Sequence, residues 1–150
     1  MKSKYNILLV SSCGGHLREL LELKECYSQF EHTYCLNDKI QLNEYMKNKT
    51  LFITHAERSL KQLINLFEAL IILYKIKPNI ILSTGASPIV PFSIWCKFLF
   101  QSKIIYIETI TSVTKPSLTG KIMYYLSDTF YFRWKSLKKY FPKGILVERF

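Results

Sequence analysis

The sequence predicts an α/β fold built on a doubly wound, mostly parallel sheet. Three observations carry this. Short, nearly continuous apolar runs recur along the chain, as expected of strands buried on both faces. Segments with helical spacing separate them, so strand and helix alternate, and right-handed crossovers then make the sheet parallel. Turns rich in glycine and small hydroxyl residues follow several of the apolar runs, at the strand ends where such sheets keep their ligand sites. At 150 residues the chain has the length of one domain with a sizeable core.

The first strand is Tyr5–Ser11 (YNILLVS), closed by a tight turn over Ser12–Gly15. His16–Phe30 follows as a helix, with Leu17, Leu20, Leu21 and Leu23 at helical spacing and Glu19, Glu22 and Glu25 toward the other side. Thr33–Leu36 reads as a second strand, Ile40–Lys47 as a short helix and Leu51–Thr54 as a third strand. Ser59 is placed to cap a long helix that runs through Lys77 and stops at Pro78. Asn79–Leu82 is the fourth strand, followed by the turn Ser83–Ser87. Pro88–Gln101 reads as a helix with proline in its first turn. Lys103–Ile107 is the fifth strand, Ser117–Leu126 a helix and Thr129–Phe132 the sixth strand. Lys135–Tyr140 is a short helix and Gly144–Val147 a terminal strand.

Composition narrows the class. With 49% hydrophobic and 15% aromatic residues the chain is neither disordered nor of low complexity, and 5 Gly and 5 Pro exclude collagen-like and linker compositions. Cys13, Cys26, Cys35 and Cys96 show neither C-x-x-C nor zinc-ligand spacing, so free thiols in a reducing cytoplasm and no metal site are expected. The run Ile7–Val10 falls short of the about 7–15 apolar residues of a signal peptide. No stretch reaches the roughly 18–20 apolar residues of a membrane span: Asn65 and Glu68 interrupt Leu63–Tyr74, and Lys97 interrupts Ile89–Phe100.

The formal net charge is +10, and residues 97–150 hold 10 basic against 3 acidic residues. Such a surface attracts polyanions, whether nucleic acid, anionic lipid or a phosphorylated substrate. No helix-turn-helix, RNP or zinc pattern supports a nucleic-acid partner.

Three turns bear chemistry. In Ser11-Ser12-Cys13-Gly14-Gly15-His16, two glycines allow backbone to approach a ligand and the following helix directs N–H groups toward it. His16 there is either an acid/base group or a locally packed ring. In Ser83-Thr84-Gly85-Ala86-Ser87-Pro88, small hydroxyls before a helix make a second anion-ready terminus or an ordinary turn. Glu108-Thr109 ends an otherwise apolar strand, so the Glu108 carboxylate is either solvated or points into the site. Lys115 and Lys121 flank the loop that follows.

Taken together, LLVSSCGGHLRELLEL, STGASPIVPF, YIETITSVTKPSLTGK and SDTFYFRWKSLKKYFPK resemble the bacterial PssD-type polysaccharide biosynthesis proteins. These are similar in turn to the membrane-anchoring subunit of the eukaryotic two-part UDP-N-acetylglucosamine transferase. More distantly, the Gly-Gly-His turn is similar to that of MurG-type GT-B glycosyltransferases. The resemblance implies that residues 1–150 form a single Rossmann-like domain, equivalent to the N-terminal, acceptor-side half of a GT-B enzyme. A separate donor-binding catalytic subunit would hold the UDP-sugar in the shared cleft, and the acceptor would be a lipid-diphosphate sugar. It implies no cofactor. The chain departs from the eukaryotic pattern by lacking a spanning N-terminal helix, so contact with an anionic membrane surface is expected to be peripheral.

In that frame His16 and Glu108 are the catalytic candidates. Ser12, Gly14, Gly15, Thr84, Gly85, Ser87 and Thr109 are the substrate-binding candidates. Apolar area in Leu60–Ile76 and Pro88–Phe100, flanked by Lys61, Lys75, Lys77, Lys97 and Lys103, suits an interfacial helix pair on anionic lipid, and Phe92, Trp95 and Phe98 at three-residue spacing favour the second helix as the membrane contact. The product would be a capsular or exopolysaccharide repeat. The alternative is a non-catalytic scaffold that recruits its partner to the membrane, although docking alone requires no Gly-Gly-His turn.

Overall fold

Successive side chains of a strand point to opposite faces of its sheet, and in β1 (Asn6–Ser11) both sets are buried: Ile7 and Leu9 on one face, Leu8 and Val10 on the other. Such a strand must lie inside a sheet covered on both sides. The computed structural model, which describes residues 5–37, 42–55 and 62–147, shows that sheet. Its strands are β1, β2 (Glu31–Leu36), β3 (Thr50–Phe52), β4 (Ile80–Ser83), β5 (Lys103–Ile107), β6 (Thr129–Phe132) and β7 (Ile145–Leu146). They pair in the order β3-β2-β1-β4-β5-β6-β7, every pair parallel. Leu9 stands in register with Tyr34 on one side and Leu82 on the other.

The connecting helices are α1 (Gly15–Glu22), α2 (Lys24–Tyr27), α3 (Glu44–Lys47), α4 (Gln62–Ile76), α5 (Ile89–Phe98) and α6 (Leu118–Leu126), with a 3-10 turn at Lys135–Leu137. Leu17 and Leu20 of α1 join Ile7, Leu9, Leu36 and Leu82 in one core layer. Ala69, Leu73, Ile89, Phe92 and Met123 join Leu8, Val10, Ile81 and Tyr106 in the other, so α4, α5 and α6 share the face opposite α1.

The expected alternation and strand positions hold, with shifts at the ends. The helix expected over His16–Phe30 is broken at Leu23, which lets the second piece turn Tyr27 into the core, where its hydroxyl lies 3.2 Å from that of Tyr34. β2 starts two residues earlier than expected and β3 ends at Phe52. Ser117 stands before α6 as its cap, its hydroxyl accepting the Gly120 N–H at 2.8 Å. α3 begins at Glu44 after an Asn43 cap. The expected Ser59 cap and residues 38–41 lie outside the described residues.

Lys77, just past α4, closes the helix in the left-handed region at φ 48°. A non-glycine residue there costs about 1–2 kcal/mol, and glycine gives back part of that through its freer unfolded chain. Lys77→Gly is therefore expected to raise Tm by about 2–4 °C, the shift of about 1 kcal/mol at this chain length. Thermal unfolding followed by circular dichroism measures it, and an unchanged or lower Tm would show that the cap is unstrained.

Candidate functional site

β1 and β4 are neighbours, yet β1 leads into α1 on one face of the sheet and β4 into α5 on the other. This reversal opens a crevice at the carboxyl ends of the two strands. Gly14 stands at the head of α1 with φ 98°, a conformation that favours glycine. Gly14 and Gly15 are exposed, and the N–H groups of the first turn have no helical acceptor. Ser12 is half-buried beside them. The turn is held from behind by Asn37, whose Oδ1 accepts the Cys13 N–H at 3.1 Å.

His16 is clasped across the crevice. Its Nδ1 lies 3.1 Å from the Thr84 carbonyl oxygen, and the Thr84 hydroxyl donates to the His16 carbonyl at 2.7 Å. A carbonyl can only accept, so Nδ1 carries the proton and Nε2 of the neutral ring keeps its lone pair. The ring lies over Gly85, where a Cβ would come 2.6 Å from Nδ1 and where φ is +129°. Ala86 follows at φ 72°. This corrects two expectations. Thr84 is buried and its hydroxyl proton is committed to His16, while Gly85 is buried and its N–H points to Ser83 Oγ at 3.3 Å. Both position the histidine instead of cradling a phosphate. Ser87 is half-buried and opens onto a separate groove between helices.

Glu108 follows β5 and is 2% exposed. Its Oε1 accepts the Ser117 N–H at 2.7 Å, while Oε2 is buried with no hydrogen-bond partner among the described residues. The carboxylate is not solvated. It packs so closely on Gly120 that a Cβ there would run into Oε2. Tyr106 lies two residues back on the same side of the strand, and burial, with the charge of Glu108 second, pushes its phenol above the usual range. Thr109 is also buried, and its hydroxyl donates to Glu19 Oε1 at 2.8 Å, so it too braces the site and leaves no free donor for a ligand. A cavity of about 90 Å³ lies here, lined by Glu19, Glu22, Thr84, Glu108 and Arg133 among others.

Glu19 and Asn37 were absent from the expected site. The leucine spacing puts Glu19 on the other side of the helix from the core, and its position three residues after His16 is the signal that places it on the face of the site. Asn37 had a weaker signal, a polar residue ending the buried run Tyr34–Leu36.

The expected membrane residues separate. Phe92 is fully buried in the core, which removes it from any surface. Trp95 is half-buried, its indole N–H donating to the Leu66 carbonyl at 2.7 Å. Phe98, Lys97 and Lys103 are exposed, but they stand at the end of α5 and the start of β5, across the sheet from the crevice. The wider apolar stripe is on α4, where Leu63, Phe67 (65% exposed), Ile71 (67%) and Tyr74 recur at helical spacing, starting near the crevice. No helix among the described residues is long and apolar enough to cross a membrane.

The family model described as "Oligosaccharide biosynthesis protein Alg14 like" matches residues 27–149. The UDP-N-acetylglucosamine transferase subunit ALG14 of Rattus norvegicus is 25% identical over 99% of this chain and 84% of its own length. That of Saccharomyces cerevisiae is 27% identical over 97% of this chain and 78% of its own. Among solved structures, Acinetobacter baumannii MurG superposes with TM-score 0.71 at 11% identity, over 97% of this chain and 44% of that one. The UDP-GlcNAc 2-epimerase of Methanocaldococcus jannaschii gives 0.68 at 13%, over 95% and 45%. The chain thus spans less than half of either enzyme, and the shared feature is the fold, that of the N-terminal half of GT-B enzymes.

The contact of Glu108 with Gly120 is testable by stability alone. Overpacking costs about 1–3 kcal/mol, so Gly120→Ala is expected to lower Tm by about 2–12 °C. Combining it with Glu108→Ala removes the clash, and the two changes should be non-additive by about 0.5–3 kcal/mol. Strict additivity in the double-mutant cycle would show that the two groups do not compete for space.

Proposed function

The chain belongs to the Alg14-like family of oligosaccharide biosynthesis proteins, and from that premise we propose that it is one subunit of a split glycosyltransferase. Its partner is a donor-binding catalytic subunit. The pair transfers a sugar from a UDP-sugar to a polyprenyl-diphosphate-linked acceptor at the cytoplasmic face of the membrane, in building a capsular or exopolysaccharide repeat. The observation that carries this reading is the clasped His16, whose Nδ1 is tied to the Thr84 carbonyl so that Nε2 is the ring nitrogen left for a ligand, at a crevice flanked by two glycines.

The chemistry is direct. Nε2 takes the proton of the acceptor hydroxyl as its oxygen attacks the anomeric carbon, and the bond from that carbon to the nucleotide diphosphate breaks. The protonated ring keeps its Nδ1 bond to the Thr84 carbonyl, which also stabilises the positive charge. Gly14 and Gly15, with the free N–H groups of the first turn of α1, admit a phosphate or sugar oxygen close to the backbone. Glu108, whose Oε2 has no hydrogen-bond partner among the described residues, orients a sugar hydroxyl. The apolar stripe of α4, with Lys75 and Lys77 at its end, lies on an anionic membrane and keeps the crevice near the lipid-borne acceptor. That same stripe supports the second reading, a scaffold that only brings its partner to the membrane.

Membrane fractions containing both subunits, or either alone, assayed with radiolabelled UDP-sugars and a polyprenyl-diphosphate sugar, separate the two. Transfer is expected to need both chains and to fall about 10²–10⁴-fold with His16→Ala, while the variant still co-purifies with its partner. Full transfer by the partner alone on detergent-dispersed acceptor would leave this chain a scaffold. In co-sedimentation with anionic vesicles, Phe67→Asp with Ile71→Asp is expected to reduce binding without shifting the melting curve. Unchanged binding would place the membrane contact elsewhere.

A further inference from the structure

α5 runs between α4 and α6 and sits lower than both, leaving a groove of about 890 Å³. Val90, Pro91 and Ile94 form its floor, Leu63 and Leu66 one wall, Leu118 and Ile122 the other. Its size falls within the about 300–1,000 Å³ usual for ligand sites. Its polar atoms come from Asn65, Ser87, Ser117 and Thr119. These residues belong to the first turns of the three helices or to the turns just before them, so the groove lies at the same edge of the sheet as the His16 crevice. Ser87 is two residues from Gly85, on which the His16 ring rests, and Ser117 donates its N–H to Glu108.

Asn65 is the independent sign that the groove is built to be filled. It is 3% exposed, it lines the groove, and its Oδ1 has no hydrogen-bond partner among the described residues. A buried acceptor left unmade costs about 1–3 kcal/mol. The remaining surface speaks against a peptide occupant. A peptide brings backbone N–H and C=O groups along its whole length that require partners, whereas the polar groups of the groove gather at one end, and Leu66, Val90, Pro91, Ile94 and Ile122 line the rest with apolar side chains. A hydrocarbon chain makes no such demand. The exposed Lys115 and Lys121 flank the Ser117–Thr119 end and complement a phosphate there.

We infer that this groove seats the isoprenoid chain of the lipid-linked acceptor next to its diphosphate, with a headgroup hydroxyl or amide N–H donating to Asn65. The inference rests on the proposed transferase reading for the identity of that lipid. The chain lies between α4 and α6, and the diphosphate passes Ser87 and Ser117 toward His16.

The test uses the full chain in complex with its partner and a diazirine-bearing polyprenyl phosphate, with cross-links mapped by mass spectrometry. Labels are expected within residues 63–66, 90–94 and 118–122. Unlabelled polyprenyl phosphate should compete, and inorganic phosphate should not. Val90→Trp, which fills the floor, and Leu118→Glu, at an exposed wall position that tolerates folding, should each reduce labelling about tenfold. Labels confined to Phe67, Ile71 and Tyr74 and resistant to competition, or none at all, would overturn the proposal. Transfer with short-chain, water-soluble acceptors gives a second readout, because groove variants should raise KM only for the long-chain acceptor. Specific groove labelling by a wild-type pair that transfers nothing would retire the transferase reading and leave the lipid groove. Intact transfer with an unlabelled groove would retire the groove alone.

Discussion

β1 and β4 lie side by side, with Leu9 and Leu82 in register, and each leaves the sheet for a helix on the opposite face. Both strands are buried from above and below, so neither can slip by one residue without sending a full set of apolar side chains to the wrong layer. The turns after them are therefore fixed relative to one another although 68 residues separate His16 from Thr84. The reciprocal His16–Thr84 clasp requires that rigidity. A hydrogen-bonded pair drawn from two mobile loops would hold neither the tautomer nor the ring position.

The same edge of the molecule concentrates the departures from a well-satisfied fold. Gly85 and Ala86 have positive φ, Glu108 Oε2 and Asn65 Oδ1 are buried without hydrogen-bond partners among the described residues, and Glu108 presses on Gly120. Away from this edge the described chain has one further positive-φ residue, Lys77 after α4. Locally unfavourable arrangements gathered at one edge of a sheet are the usual mark of a functional site, sustained by the packing around them.

The two helical layers do different work. α1 to α3 cover one face, and α1 brings His16 and Glu19 to the crevice. On the other face α4, α5 and α6 bury one side each and still expose Phe67, Ile71, Phe98 and Tyr125. A helix that is apolar nearly all round is normally buried on every side. Here the second surface remains open, which accounts for both the stripe and the groove on a single face.

Local signals in the sequence determined the alternation of strand and helix, the places of all seven strands to within two or three residues, the glycine turns and the family. Strands buried on both faces write themselves as apolar runs, and turns as glycine, proline and small polar residues. The tertiary structure alone decided which side chains meet. Glu19 and Thr109 are 90 residues apart, and nothing near either announces the other. It also decided which way the greasy helices face. Phe92 lies in the core and Phe67 lies outside, because in a helix apolar nearly all round the periodicity does not mark an inner side, and only the surface it packs against selects one.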